Sequence, residues 1–179
     1  MTDGPSNYTA AAGGCDEPGA ARGLDVIGDG DPSLNGVQVL HDRLIPGSDC
    51  SLEHVVVANH AIIVIRSSAK KGRVKIHKDT IRVGGESLEI IIAGLKARVE
   101  TVRYRVSGDM PVFGAIFLSR QPKAGLKHFG AMPIGSETAI TQHIAEEHSR
   151  TQTDIDLRAV AYELSGIFLS PKSFGEDAA

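Results

Sequence analysis

Two uninterrupted apolar runs, Val55-Val56-Val57 and Ile62-Ile63-Val64-Ile65, stand on either side of Asn59-His60. A strand with one wet face alternates apolar and polar residues, so an unbroken apolar run marks a strand covered on both faces. The runs from Leu52 to Val57 and from Ala61 to Ile65 therefore predict two central strands, with Asn59-His60 as an imperfect hairpin turn. Any fold for this chain has to supply layers above and below them.

The neighbouring segments predict those layers. Val37, Val39 and Leu44-Ile45, with His41 between, read as an entry strand halted by Pro46-Gly47. Residues 73–83 alternate around Lys78-Asp79 and predict a second, more exposed hairpin, closed by the turn Gly84-Gly85. Ser87 is the expected N-cap of a long helix whose Leu88, Ile91, Ile92, Leu95, Val99, Val102 and Val106 recur at helical spacing. Pro111 to Leu118 returns to strand, and a short apolar piece follows from Phe129 to Ile134. Ser136 is placed to cap a helix running to about His148, and Leu157, Val160, Ala161 and Leu164 line one face of a last helix ending near Gly166. The order predicts an α/β fold with a mixed sheet: an antiparallel meander, a long helix, two further strands and C-terminal helices.

Residues 1–35 hold seven glycines and three prolines with little apolar matter, too little to offset the entropy of ordering, so a disordered leader is expected there. The domain is expected over 36–170 and a flexible tail over 171–179. The leader carries six acids and one base, net −5, and the tail −1; the whole chain is −3, so the domain itself is +3. Aromatic residues are scarce and Trp is absent, which leaves the core to Val, Ile, Leu and Ala. No stretch approaches the roughly 20 apolar residues of a membrane span. Met1 to Ala12 lack the basic start and apolar run of a secretory signal, and Cys15 and Cys50 do not suggest a disulfide framework. A cytoplasmic location is the resulting expectation.

The run Val39-Leu40-His41-Asp42-Arg43-Leu44-Ile45-Pro46-Gly47-Ser48 resembles the entry strand of the NERD (nuclease-related) domain, of the restriction-endonuclease-like superfamily. The resemblance continues through Leu52-Glu53-His54-Val55-Val56-Val57, where that family reads Ile-Asp-His and an apolar strand. It runs on through Val64-Ile65-Arg66-Ser67-Ser68-Ala69-Lys70-Lys71-Gly72, where the family reads Val-Ile-Asp-x-Lys followed by Lys-Gly. Gly84-Gly85, the long helix and Pro111 to Ala115 also fall where the family has similar features, so the match spans about residues 36–170. It implies a restriction-endonuclease-like mixed sheet and a phosphodiesterase site in which two acids hold a divalent metal and a lysine serves the attacking water.

Transferred position by position, that chemistry is broken. Glu53 stands at the first acid, Arg66 at the second and Ser68 at the lysine. A guanidinium cannot ligate Mg²⁺. The helix glutamate that the family carries before its entry strand falls here in a Gly/Asp/Pro-rich stretch. These positions imply a pseudoenzyme with no cofactor, Glu53 being either a relic metal ligand or the ion-pair partner of Arg66. The alternative is an active, Mg²⁺-dependent nuclease using Glu53 with a relocated partner, such as Lys70 with Glu86 or Glu89. His54 is expected to be a hydrogen-bonded structural histidine; His41, His60 and His77 are expected on the surface or in turns; His143 and His148 lack the spacing of metal ligands.

Between Arg66 and Arg82 seven cations face one acid, Asp79. Lys70, Lys71, Arg73, Lys75 and Lys78 are the candidate contacts to nucleic-acid phosphates. The plainer reading is a solvated edge that deters aggregation, and a protein partner on the same scaffold is the further possibility; no membrane partner is expected.

Overall fold

A computed structural model describes residues 35–121 and 123–170. The expectations for the leader, apart from Asn35, and for the tail lie outside the described residues. Nine strands and three helices are described: β1 (Gln38–Leu44), β2 (Ser51–Ala58), β3 (Ala61–Ser68), β4 (Val74–His77), β5 (Thr80–Val83), β6 (Glu86–Ser87), α1 (Glu89–Arg105), β7 (Val112–Leu118), β8 (Lys127–Phe129), β9 (Met132–Gly135), α2 (Glu137–Arg150) and α3 (Leu157–Ile167).

The apolar runs become the middle of a six-stranded mixed sheet of order β1-β2-β3-β7-β9-β8. β1, β2 and β3 form the antiparallel meander; β7 returns parallel to β3 after α1, and β9 parallel to β7. The fold is thus the expected α/β arrangement of meander, long helix, further strands and C-terminal helices. Every residue of β3 is buried. Alternate side chains feed two separate cores. Val55, Val57, Ile62 and Val64 join Leu95, Val99 and Val102 of α1 and Leu157, Ala161 and Leu164 of α3. Val56, Ile63, Ile65, Ala115 and Phe117 meet Ile140, Ile144 and Ala145 of α2 on the other side. This two-sided cover is what the unbroken apolar runs require.

Beside the α1 face lies a small sheet, β4-β5-β6, whose inward Val74, Ile81 and Val83 enter the first core. Its third strand goes beyond the expected hairpin, because two residues between turns carry no pattern. The close approach of its ends depends on glycine: Gly84 has φ +60°, and a side chain there would begin 2.0 Å from the Lys71 carbonyl oxygen.

Four expectations are corrected. Ser87 lies in β6 rather than at the N-cap, which is Leu88, although its Oγ accepts from the Glu89 amide at 3.2 Å. The apolar piece at 129–134 is a tight hairpin, β8 and β9. His41 is neither a surface nor a turn residue but a half-buried strand residue. Cys50 takes part in a disulfide, which removes the cysteine argument for a reducing compartment. Ser136 does cap α2, its side chain accepting from the Ala139 amide. Among the described residues no helix is long and apolar enough to cross a membrane.

The β2–β3 turn is bolted to the end of α2. The Asn59 amide donates to His148 Nδ1 (3.0 Å), and Asn59 Nδ2 donates to the carbonyls of His148 (3.1 Å) and Thr151 (2.9 Å). His148 Nε2 lies 3.1 Å from the Asn35 carbonyl, which makes Nδ1 the acceptor and Nε2 the donor. Asn59 thereby satisfies carbonyls that a helix end leaves open. Asn59→Ala is expected to cost about 1–3 kcal/mol, read as a lower urea midpoint; an unchanged midpoint would show that the clamp contributes nothing.

Candidate functional site

β2 and β3 are laddered from Ala58–Ala61 only as far as His54–Ile65. Beyond that pair they part. Residues 51–52 stay with β1, and residues 66–68 stay with β7. A buried split leaves strand amides and carbonyls without ladder partners, and each must find another.

Two charged side chains supply them. Glu53 Oε2 accepts from the Ser67 amide at 2.7 Å, and Arg98 Nε of α1 donates to the Ser51 carbonyl at 2.8 Å. Arg98 Nη1 also donates to the Gly94 carbonyl at 3.0 Å. Arg66 enters from β3, its Nε 3.7 Å from Glu53 Oε1. This is the cross-strand pairing of Glu53 with Arg66, and it is loose, because 3.7 Å exceeds hydrogen-bond reach. Gly94 makes room for both cations: a side chain there would begin 2.6 Å from Arg66 Nη1 and 3.1 Å from Arg98 Nη1. Burial, and after it the Arg66 guanidinium, draw the Arg98 pKa below its ordinary value, with Glu53 opposing.

Arg98 is the member of this site that its sequence context hides among the polar residues of α1. The one available signal is its spacing of four from Gly94, which puts a small residue and a cation on one helix face. Ser68 is buried on β3, two residues beyond Arg66 and so on the same face of the strand; its Oγ accepts from the Lys70 amide at 3.4 Å. Lys70 does not enter the site. Its Nζ pairs with Glu86 at 2.5 Å, joining β3's end to the small sheet.

A divalent metal, which the family resemblance implies, does not fit these residues. One carboxylate oxygen of Glu53 already serves the Ser67 amide, the other faces a guanidinium, and a second cation lies beside them. Among the described residues no group of three or more His, Cys, Asp or Glu is placed to hold a metal ion. His54 is buried next to the site but on the opposite face, where its Nδ1 lies 2.9 Å from Nδ1 of His41, its partner in the β1–β2 register. That agrees with a hydrogen-bonded structural role for His54.

The basic segment forms the outer face of the small sheet. Lys75 stands directly opposite Arg82, and His77 opposite Thr80, all exposed, while Val74 and Ile81 turn inward. Lys71 and Arg73 are exposed before β4, and Lys78 occupies the turn with φ +45°. Arg82 Nη1 donates to the Gly85 carbonyl at 2.8 Å.

A second feature has no counterpart in the sequence motifs. His60, Ile63, Phe113, Ala115, His143 and Glu147 are among the residues around a cavity of about 190 Å³ under α2. Among the described residues His60 Nδ1 is buried with no hydrogen-bond partner. Burial holds the His60 pKa below its ordinary 6.5; Glu147 opposes this and His143 and His148 add to it.

Compared with protein-family models, curated proteins and solved structures, the chain matches none of them significantly.

Two outcomes follow from this geometry. Glu53→Ala removes the acceptor of the Ser67 amide and leaves two cations without an acid, and should cost about 3–5 kcal/mol. Glu53→Gln, which keeps an acceptor, should cost less. Equal, negligible losses in chemical denaturation would mean that Glu53 has no structural task. For His60 the folded pKa is depressed, so the unfolded chain takes up the proton first. Its contribution is intact above about pH 6.5 and is lost as pH falls toward the folded value. The difference in urea midpoint between wild type and His60→Asn should therefore change across pH 7.5 to 5; a difference independent of pH would refute the assignment.

Proposed function

We propose that this domain is a catalytically degenerate relative of the nuclease-related domains that binds the backbone of nucleic acid through its small sheet. One observation carries the reading: Lys75 and Arg82 are held side by side across β4 and β5 on an exposed face. Like charges placed directly opposite destabilise a strand pair, and a row of phosphates relieves that repulsion. Lys71, Arg73 and Lys78 extend the cationic face along the same segment, whereas Lys70 is occupied by Glu86. Few aromatic side chains are available for base stacking, since His77 is the only ring on the outward face of β4 and β5; contacts of this kind are indifferent to sequence.

The degenerate half of the reading is supported by the site between β2 and β3. A nuclease built on Glu53 needs a carboxylate free to hold metal, and this one serves the Ser67 amide beside Arg66. Lys70 and Glu86, the relocated partners such an enzyme would use, are instead paired with each other.

The test is fluorescence anisotropy of the full chain with a labelled duplex over a salt series. Contacts to about two phosphates give a log–log slope near −1.8, a loss of roughly twelvefold between 50 and 200 mM salt. Lys75→Glu with Arg82→Glu should abolish binding. Absence of binding at low salt would end the nucleic-acid reading and turn attention to a protein partner. Cleavage of the duplex in Mg²⁺ or Mn²⁺ that Glu53→Gln removes would overturn the degenerate assignment.

A further inference from the structure

We propose that the cleft where β2 and β3 part is an oxyanion site, in which Arg66, with Arg98 beside it and the hydroxyl of Ser68 on the same strand face, seats a single phosphate group. This inference is separate from the small sheet and stands or falls without it.

Arg66 carries donors that no protein acceptor among the described residues takes up. Arg66 is 7% exposed, and a guanidinium carries five N–H donors. Among the described residues the Arg66 side chain makes no hydrogen bond: its sole anionic neighbour is Glu53, 3.7 Å from Nε, and the other oxygen of that carboxylate belongs to the Ser67 amide. None of the Arg66 nitrogens is a fully buried atom without a partner, so water reaches its free N–H groups, and an anion can take the place of that water.

Charge points the same way. Arg66 and Arg98 converge at Gly94 with Glu53 as the one acid in the cluster, so the cluster holds a net positive charge. Arg98 is fixed by its bonds to the Ser51 and Gly94 carbonyls and serves as a stationary second charge. Ser68 adds a donor, since its Oγ accepts from the Lys70 amide and its own O–H remains to be directed. The Arg66 side chain retains 8% exposure, an edge that an ion can reach.

A planar fork suits a tetrahedral oxyanion, because two parallel N–H groups meet two of its oxygens. The shared chemistry is one phosphate group, supplied either by the free ion or by the terminal phosphate of a nucleic-acid strand.

The experiment uses the full chain and inorganic phosphate, with chloride at matched ionic strength as the control. Phosphate should raise the unfolding temperature saturably, and calorimetry should report one site. Arg66→Met should weaken that binding by about tenfold or more. In phosphate-free buffer the same variant should unfold at the wild-type temperature or above it, because the lost cation had no hydrogen bond; a merely structural arginine predicts a fall. Gly94→Ala is the second variant: its methyl group would occupy space 2.6 Å from Arg66 Nη1, so it should displace the fork and weaken phosphate binding with α1 intact. Lys75→Glu with Arg82→Glu should leave phosphate binding unchanged, which separates this site from the small sheet. A 5′-phosphorylated oligonucleotide that competes better than its hydroxyl-ended counterpart assigns the seat to a strand end; equal competition assigns it to the free ion. No saturable effect of phosphate on the wild type overturns the proposal, as does binding unaffected by both Arg66→Met and Gly94→Ala.

Discussion

The parting of β2 from β3 organises this molecule. Two central strands that ran together to their ends would bury every amide and carbonyl in a ladder and leave no polar group inside the sheet. Here they separate after His54 and Ile65, and the open backbone must be satisfied within the protein. Glu53 closes one side by accepting from the Ser67 amide, and Arg98 closes the other by donating to the Ser51 carbonyl. The two are not equivalent. Glu53 is local to the split, whereas Arg98 is carried in by α1, so the helix that packs on the sheet also completes its hydrogen bonding. The placement of α1 is thereby set by polar groups as well as by Leu95, Val99 and Val102.

Much of this is legible in the amino-acid sequence. The apolar runs mark strands covered on both faces because period and burial are tied to each other. The stripe of α1 and the cap at Ser136 are readable for the same reason: each is a local rule that tertiary contacts do not oppose. The pairing of Glu53 with Arg66 follows from hairpin register, since a turn at Asn59-His60 brings these residues opposite one another. Arg98 is not legible. Its neighbours on the helix mark it as solvated, and its task depends on where β2 leaves β3, a fact no window of α1 contains. His41 fails differently: a half-buried imidazole reads as a polar position in an alternating strand, and only its register with His54 reveals the contact. Ser87 shows how close a wrong reading can come, for its hydroxyl does meet the Glu89 amide while its backbone belongs to β6.

The family resemblance and the geometry bear on different matters. Motifs around residues 39–72 mark the positions where the resemblance would place a site, and the mixed sheet with its long helix and C-terminal helices agrees with the expected α/β arrangement, but a scaffold does not determine chemistry. The chemistry is decided by the sign of the charge at one place. With an acid at position 66 the cleft would gather negative charge suited to a cation; with Arg66 and Arg98 against a single carboxylate it gathers positive charge. A carboxylate in such company is drawn to its neighbouring donors, and the Ser67 amide is already one of them.

The same sign runs outward along the chain. From Arg66 in the cleft the backbone continues through Ser68 to Lys71 and Arg73, then into the exposed pair Lys75 and Arg82. The path is mechanically held at several points. Gln121 donates to the Lys70 carbonyl at 3.0 Å, Lys70 pairs with Glu86, Lys127 donates to the Val74 carbonyl at 3.2 Å, and Gly72 lies against Gly84. A cationic strip fastened this way differs from a charged loop in one physical respect: its charges keep their spacing, so they do not relax apart to lower their repulsion. The inner end is buried, with Arg66 only 7% exposed. The outer end is exposed, so its charges are screened by salt. Composition alone, at a net −3 for the chain, conceals this continuity of positive charge along one segment.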